Sequence, residues 1–213
     1  MLAAVVFAVG MVGINLSDGS ITLIDNVPLA TMESGMFSGH LEIIHTDKDG
    51  NILSYQQTDN AIVNQGRNCA ANMLFGPLAQ PTGCDDQTPG VYNVIGIGNG
   101  TFTGNNQSVD LAEEPTGDGL ARAEATSASV ESEIETASDA AGDVSKTLIS
   151  AEFTYTGSQA GNPISEAGLF NQTGITDDSA FAIKKFPSVV NMNNQDKLTV
   201  NWEISISGTD SIG

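Results

Sequence analysis

Residues 37–58 read FSGHLEIIHT-DKDGN-ILSYQQT, and this stretch decides the fold class. Apolar and polar side chains alternate on both sides of a five-residue segment, Asp47 to Asn51, that is rich in turn-forming residues. A period of two is the pattern of a strand with one buried face, and Gly50 supplies the positive φ that a tight hairpin turn favours. The stretch therefore predicts two antiparallel strands joined by a short turn.

The same turn carries two aspartates at a spacing that resembles the start of a calcium loop. Asp47 and Asp49 are followed at once by Gly50. A complete EF-hand loop needs a bidentate glutamate at its twelfth position, and counting from Asp47 that position is Thr58. The hairpin turn is therefore the favoured interpretation. Asp47 and Asp49 are kept as weak calcium candidates, and no other cofactor is expected.

Strand-like alternation returns in the second half of the chain. Residues 144–157, VSKTLISAEFTYTG, alternate most regularly. Upstream of them, residues 120–135 are rich in Ser and Thr, which are poor helix formers, so this stretch predicts a long, mostly solvated strand. The two would form one long antiparallel hairpin with Glu131, Glu133 and Glu135 on one face. A solvated face is favoured there over cation binding or pairing with lysines of another subunit.

One short segment favours a helix. In residues 68–75 the apolar side chains fall on one helical face, and Gly76-Pro77 follows as a stop signal. A helix is therefore favoured over a buried strand. Taken together, the patterns predict an all-β protein, an antiparallel β-sandwich of jelly-roll or immunoglobulin-like type, with at most one or two short helices.

Composition and charge argue against a nucleic-acid partner. Seven basic residues stand against 26 acidic ones, which gives a formal net charge of −19. That field repels a phosphate backbone. The favoured explanation of the acidity is solubility in a salty exterior, where ions screen the self-repulsion. Only 15 % of the residues are charged, which is typical of an all-β surface protein and not of a cytosolic helical enzyme.

Motifs for catalysis are sparse. His40 and His45 lie in or beside one predicted strand, there is no G-x-S-x-G motif, and aromatic residues make up only 6 % of the chain. Gly96, Gly98 and Gly100 are spaced G-x-G-x-G without a following Lys-Ser/Thr pair. They indicate a strand with close backbone approach and not a phosphate-binding loop. The sequence therefore predicts a protein that is not an enzyme, with no catalytic residues.

The two cysteines and four asparagine sequons bear on the compartment. Cys69 and Cys84 enclose a loop, which favours a disulfide in an oxidising compartment over two buried free thiols. Such a bond would stabilise the fold by about 3 kcal/mol. The sequons are about as frequent as the composition predicts by chance, and glycans on them would fit an exported chain. The glycosylation candidates are Asn15, Asn99, Asn106 and Asn171.

The first sixteen residues, MLAAVVFAVGMVGINL, carry no charge. They are too short for a membrane-spanning helix of about 20 residues, and they lack the basic start and clean cleavage site of a signal peptide. Four interpretations stay open: an export signal that starts upstream of Met1, the apolar end of a pilin-like subunit, a strand donated to a neighbouring subunit, or the first core strand.

Residues 1–25 are therefore set apart as an apolar N-terminal segment, in which residues 14–25 read as a short hairpin around Asp18-Gly19. Residues 26–213 form the single sandwich domain. If the segment works as a donor strand or a pilin-like helix, its apolar side chains make the contacts between subunits. These assembly candidates are Val5, Val6, Phe7, Val9, Met11, Val12 and Ile14.

Residues 90–206 carry five stretches in an order that resembles a module of tailed-phage virion and tail-fibre-associated proteins. They are Ile95 to Thr101, Asp110 to Glu113, Glu166 to Asn171, Phe181 to Phe186, and Asp196 to Ile204. The chain also resembles domains of secreted surface proteins of marine archaea, in which residues 57–76 have counterparts. The resemblance implies a β-sandwich-like fold with no catalytic residues. The apolar N-terminal segment departs from the phage pattern and shifts the expectation toward a cell-surface protein.

The last third of the chain also contains residues that are predicted to lie in the core. Trp202 lies in a period-two run and is predicted to anchor the core, with ligand stacking as the less favoured role. Glu166 precedes a buried strand, where its carboxylate is expected to accept backbone hydrogen bonds. The predicted core residues of this region are Leu169, Phe170, Val200, Trp202 and Ile204.

The expected function follows from these features. The chain is predicted to be a self-assembling structural subunit of an extracellular, pilus-like filament or surface coat, joined through its N-terminal segment by strand donation. Its partners would be copies of itself in a homopolymer, and it would meet a membrane only during export. The alternatives are a structural protein of a tailed-virus particle, namely tail, fibre or capsid decoration, and a monomeric adhesin or binding module.

Overall fold

A computed structural model describes residues 37–75, 91–100, 110–133, 144–175 and 180–207. These residues form nine strands and one helix. The elements in chain order are β1 Phe37–Thr46, β2 Ile52–Ile62, α1 Asn64–Phe75, β3 Val94–Gly98, β4 Ala123–Glu124, β5 Ser127–Glu133, β6 Val144–Thr154, β7 Asn162–Phe170, β8 Ala182–Met192 and β9 Lys197–Ser207.

The strands form two antiparallel sheets. Sheet I has the order β2-β1-β9-β6-β5, and sheet II has the order β4-β3-β7-β8. The sheets meet where the last two residues of β2, Ala61 and Ile62, pair with Ile183 and Ala182 of β8. This arrangement confirms the predicted all-β antiparallel sandwich. In the described part of the chain α1 is the one α-helix, and no helix there has the length and apolar character that a membrane span needs.

The main core lies between the two sheets. Along β1 the buried positions alternate with partly exposed ones, so Leu41 and Ile43 point inward at 0 % exposure. On β9, Val200 and Trp202 pair with Ile43 and Leu41 and are also fully buried. Period-two alternation thus places one side chain in two in the core, as the sequence pattern predicts. The predicted core residues are all buried: Leu169, Phe170, Val200, Trp202 and Ile204.

A second apolar cluster covers the other face of sheet II. It consists of Val63, Val94, Leu111, Phe170, Ala180 and Ile183. Neighbours in sequence split between the clusters: Ile95 faces the main core, whereas Val94 faces the second one. Because β3 is buried on both faces of sheet II, all five of its residues are buried. A continuous apolar run is the pattern expected of such a strand.

Several local predictions are confirmed. The β1–β2 hairpin turns at residues 47–51, and Gly50 has φ of +84°. The predicted helix is present but begins earlier, at Asn64 instead of residue 68. β6 pairs with β5 as the predicted hairpin, with Leu148 opposite Ser129. Glu131 and Glu133 lie in β5, and Glu135 lies outside the described residues.

The long strand predicted over residues 120–135 is wrong. β4 joins sheet II by pairing Ala123 with Ile95, while β5 joins sheet I. The chain changes sheets between them, where the amide of Ala125 donates to the carbonyl of Asn93 and that of Thr126 donates to Ser150. The physical reason is burial. Leu120 is 1 % exposed, so the start of this stretch is drawn into the core, whereas Thr126 and Ser127, where β5 begins, are exposed.

Candidate functional site

The two calcium candidates serve the hairpin turn. The Oδ1 of Asp47 accepts the backbone amides of Asp49 at 2.9 Å and Asn51 at 2.8 Å, and its Oδ2 accepts the side-chain amide of Asn51 at 2.8 Å. These hydrogen bonds, that of the Asn51 side chain first, lower the pKa of Asp47. Asp49 pairs with Lys48 in solvent. Within the described residues no group of three or more His, Cys, Asp or Glu has a metal-binding arrangement, so the contacts favour the turn interpretation.

The histidines have structural contacts within β1. The Nε2 of His45 lies 3.1 Å from the Oδ2 of Asp196, and both side chains are buried. The same oxygen accepts the backbone amide of Asn193 at 2.7 Å. This pair therefore ties the end of β1 to the turn between β8 and β9. His40 lies 3.3 Å from Asp59 on an exposed part of the hairpin.

The cysteines and sequons are partly within the described chain. Cys69 is 1 % exposed and disulfide-bonded. Its predicted partner Cys84 lies outside the described residues, so the pairing stays a prediction. The side-chain oxygen of Asn99 is buried, and a glycan on that side chain would require it to turn outward. Also outside the described residues are the hairpin of 14–25, sequons Asn15 and Asn106, and assembly candidates Val5, Val6, Phe7, Val9, Met11, Val12 and Ile14.

Glycines in sheet II make room for a buried group of charged residues. A methyl group on Gly96 would lie 2.9 Å from the Phe170 ring and 3.2 Å from the Arg122 side chain. A methyl group on Gly98 would lie 2.5 Å from a carboxylate oxygen of Glu166. The predicted close approach of these glycines is thus confirmed. They leave a surface without side chains on which residues 110–122 pack, because no larger residue fits there.

Arg122 is the centre of this group. Its guanidinium is fully buried and meets Glu114 in a bidentate pair, with Nε at 2.8 Å and Nη2 at 2.6 Å from the two carboxylate oxygens. Nη2 also donates to Asp110 at 2.7 Å, and Nη1 donates to the carbonyl of Gly174 at 2.8 Å. The guanidinium stacks on Phe170 at 3.5 Å from the ring centre. One side chain thus joins two separate stretches of chain, residues 110–114 and the loop at Gly174, to Phe170 of sheet II.

Glu166 lies beside Arg122's partners and is fully buried. Its Oε1 accepts the backbone amide of Ala112 at 2.9 Å, and Glu113 contributes a second backbone hydrogen bond. The predicted role of Glu166 as an acceptor of backbone hydrogen bonds is therefore confirmed. Its second oxygen, Oε2, has no hydrogen-bond partner in the described structure. We call Asp110, Glu114, Arg122 and Glu166 the carboxylate cluster.

The carboxylate cluster holds three acids and one base. Burial, followed by the hydrogen bond and the charge of Glu114, raises the pKa of Asp110 to about 6. Burial also raises the pKa of Glu166, and the charges of Glu114 and Asp110 act in the same direction. Desolvation disfavours the charged form of a carboxyl, and a second carboxylate nearby adds to it. Apart from the Oε2 of Glu166, the charged atoms bond one another or the backbone, and these contacts hold residues 110–122 on sheet II.

We expect the unfolding temperature to fall as pH rises from about 4 to about 7, in part because of Asp110. A carboxyl with a raised pKa in the folded state binds its proton more tightly there than in the unfolded chain. Its stabilising contribution is complete below the unfolded pKa and is lost as pH rises through the folded value. For Asp110 that window runs from 3.8 to about 6. The whole pKa shift corresponds to about 3 kcal/mol, and because the side chain is 29 % exposed, solvent screening reduces the contribution to on the order of 1 kcal/mol.

The substitution Asp110→Asn removes this titrating group and should flatten the dependence of the unfolding temperature on pH. Thermal unfolding at a series of pH values, followed by circular dichroism, measures this dependence. Asp118→Asn is the control, because Asp118 is exposed in the same loop and its loss changes the net charge equally. The control should keep the wild-type slope. A wild-type slope in Asp110→Asn would contradict the role given to Asp110.

The edges of sheet I form a second feature. At one edge, residues 52–60 of β2 pair with β1 on one side, and β8 meets β2 only at Ala61 and Ile62. The described chain offers no other backbone partner to residues 52–60. Large apolar side chains are exposed beside this edge: Ile52 is 59 % exposed, Leu53 45 % and Val189 of β8 50 %. At the opposite edge, β5 pairs only with β6 among the described strands.

Comparisons with known proteins add no relative. No protein-family model matches the chain, and no curated protein or solved structure matches it either. The function proposed below therefore draws on the fold and contacts of this chain alone, together with the sequence patterns described above.

Proposed function

We propose that this chain is a non-enzymatic structural subunit that assembles with copies of itself into an extracellular filament or surface coat, joined by donation of its N-terminal segment. The observation that carries the proposal is the open edge of β2. Nine consecutive residues, 52–60, leave one side of their backbone unpaired within the described structure. An edge of that length is a template for pairing with a strand from another chain.

Protection of this edge against pairing is limited to Asp59 near its end and to a bulge at Leu53, where the register with β1 shifts. Soluble proteins guard exposed edges with charges, prolines or very short strands. Residues 52–58 of β2 contain no charged residue and no proline. Ile52 and Leu53 add exposed apolar surface to it. In a protein that stays monomeric, such an edge would promote aggregation. In a subunit that receives a strand from a neighbour, the same edge is covered by that strand.

The N-terminal segment has the composition of a donor. Its first sixteen residues are uncharged and rich in β-branched side chains. Four of the residues expected to make the contact, Val5, Phe7, Val9 and Met11, are spaced two apart, as residues on one face of a strand are. The full set expected to make the contact is Val5, Val6, Phe7, Val9, Met11, Val12 and Ile14. Because the run is uncharged, its burial against the β2 edge carries no charge-desolvation penalty.

The contacts of the titratable residues support a non-enzymatic role. In the carboxylate cluster Arg122 is held by two acids, a carbonyl and a phenyl ring. His45 and Asp196 join two ends of strands. A catalytic group needs a free position for substrate, and each of these side chains holds chain segments together. The disulfide-bonded Cys69 supports an oxidising, extracellular setting.

A tailed-virus structural protein is the second candidate. It is favoured by the way three stretches of the phage-like pattern meet in space: Gly98 of the G-x-G-x-T stretch packs on Glu166, and Glu166 binds the backbone at Ala112. Such a protein also assembles with its own kind, so it shares the proposed subunit character. A filament whose genes lie beside terminase and portal genes would favour the virus.

Sedimentation velocity of the full-length chain tests the proposal. We expect species much larger than the 22.1 kDa monomer, growing with concentration. Val9→Asp places a charge in the middle of the donor run and should leave monomers, because a buried unpaired carboxylate is costly. Val91→Asp is the matched control: Val91 is 78 % exposed and lies outside the β2 edge, so this variant should still assemble. A wild-type chain that stays monomeric, as an adhesin would, overturns the proposal.

A further inference from the structure

We infer that residues 5–14 of one copy pair as an added strand with residues 52–60 of β2 in the next copy, at an opening between the two sheets. This inference rests on the proposed assembly by strand donation and adds where the donated strand binds. We call the opening, bounded by residues 52–60 of β2 and residues 184–192 of β8, the β2–β8 seam. Its geometry, its charge and its length each favour this occupant.

The β2–β8 seam begins at the corner of the sandwich where the end of β2 pairs with the start of β8. β2 and β8 pair only at Ala61–Ile183 and Ile62–Ala182. Away from that corner the strands follow different sheets, and the amide of Ser188 in β8 donates to the side chain of Gln56 in β2 at 2.8 Å. Within the described residues no backbone pairing joins the two strands beyond Ala61 and Ile62. An added strand continues sheet I there without displacing a strand that is already paired.

β8 is irregular along its side of the seam. Ile164 of β7 pairs with Val190, and two residues later Glu166 pairs with Lys185. The residues of β8 between those partners form a bulge opposite Ser165. Val189 of this bulge is 50 % exposed. A bulge bends its strand away from regular pairing, and in this one an exposed apolar residue directly follows Ser188, whose amide bonds Gln56 of β2.

Charge separates β2 from the other open edge of sheet I. β5, Ser127–Glu133, carries Glu131 and Glu133 within seven residues. Residues 52–60 of β2 carry one acidic residue, Asp59 near the end that meets β8, and residues 52–58 carry none. An uncharged apolar strand is better received by this edge than by β5, because β5 has two acidic residues within seven positions. The donor is thus matched to β2 by polarity.

Length and alternation also match. Nine residues of β2 span about 30 Å at a strand rise of roughly 3.3 Å per residue, and residues 5–14 supply ten. In a strand the side chains of Val5, Phe7, Val9 and Met11 share one face. The inward residues of β2 are polar here, with Gln56 at 6 % and Thr58 at 3 % exposure. These two side chains are already buried, and Gln56 accepts the amide of Ser188, so the donated strand adds its apolar row beside them.

A complementation experiment with full-length chains tests this inference. Leu53→Lys disables the acceptor, because lysine on an exposed edge opposes pairing. Val9→Asp disables the donor. Each variant alone should be monomeric by sedimentation velocity. Their mixture should form dimers and no larger species, since the intact donor of the first enters the intact acceptor of the second. Leu148→Lys is the matched control, at 43 % exposure on the same sheet but far from β2, and should assemble like wild type.

The outcomes separate the inference from the proposed function. Assembly of wild type and of Leu53→Lys alike would overturn the β2 acceptor while the subunit proposal stands. A monomeric wild type would overturn the subunit proposal itself. Monomeric variants that give no dimers on mixing would overturn the pairing of this donor with this acceptor. Unchanged circular dichroism spectra and unfolding temperatures of both variants establish that their folds are intact.

Discussion

Replacing Arg122 by alanine is expected to lower the free energy of unfolding by about 3–5 kcal/mol. The substitution leaves Glu114 and Asp110 without their cation while Glu114 stays buried at 6 % exposure. It also removes the donor to the Gly174 carbonyl and the plane that covers Phe170. An uncompensated buried carboxylate is among the most costly single defects in a fold, which is why the expected effect is large.

Two control variants separate charge from geometry. Arg122→Lys keeps the positive charge but loses the bidentate pair and the stacking. Its free energy of unfolding should therefore lie between that of the wild type and that of Arg122→Ala. Lys48→Ala removes an exposed cation that pairs with exposed Asp49 and should change stability by less than about 0.5 kcal/mol. Equilibrium urea unfolding measures all three. A loss below about 1 kcal/mol for Arg122→Ala would contradict the central role of Arg122 in the carboxylate cluster.

Replacing Trp202 by alanine is expected to cost about 3–5 kcal/mol as well. Trp202 is 0 % exposed on β9 and lies between Leu41 of β1 and Ile149 of β6 in the middle of sheet I. Removing the indole leaves a cavity that strands paired on both sides cannot close. The loss therefore combines lost burial with an unfilled volume.

Trp202→Phe sharpens this prediction. The indole Nε1 is buried without a hydrogen-bond partner in the described structure, so phenylalanine removes no hydrogen bond and leaves a smaller cavity. Its cost should be less than half that of alanine. Leu148→Ala, on the exposed face of sheet I, should cost little. Urea unfolding checks the order of the three variants, and equal losses for Phe and Ala would contradict an account based on cavity size.

Much of the fold was readable in the sequence because its signals are local. The β1–β2 hairpin follows from alternation on both sides of the turn around Gly50, and β6 follows from its regular period of two. The end of α1 follows from Gly76-Pro77. Such signals act over a few residues and need no knowledge of the partner strand.

Sheet assignment was not readable, because it depends on distant contacts. The stretch 120–135 looks uniform in sequence, yet its start packs on sheet II and its end pairs in sheet I. Burial on both faces also removes the polar–apolar alternation from β3, VIGIG, and from the buried part of β7, where even Ser165 and Glu166 are buried. Nothing local distinguishes a residue that faces one apolar cluster from a residue that faces the other.

The candidate site was readable only in part. The role of Glu166 followed from its place before a buried strand, and the glycines of β3 indicated close approach. Arg122 was missed, because it lies in an Ala-rich stretch and its contact with Gly174 spans 52 residues. The available signal was the rarity of its type, since only seven basic residues occur in the chain and this one follows Leu120 closely. The β2–β8 seam was beyond reach, as it exists only once the two strands are paired at their corner.

Electron microscopy of the purified full-length protein tests the central claim, assembly with its own kind, most directly. The account predicts ordered fibres or sheets in wild type, and their absence in the Val9→Asp variant under the same conditions. Grids of wild type that hold no ordered assembly, from a sample that sediments as a single 22.1 kDa species, would contradict it.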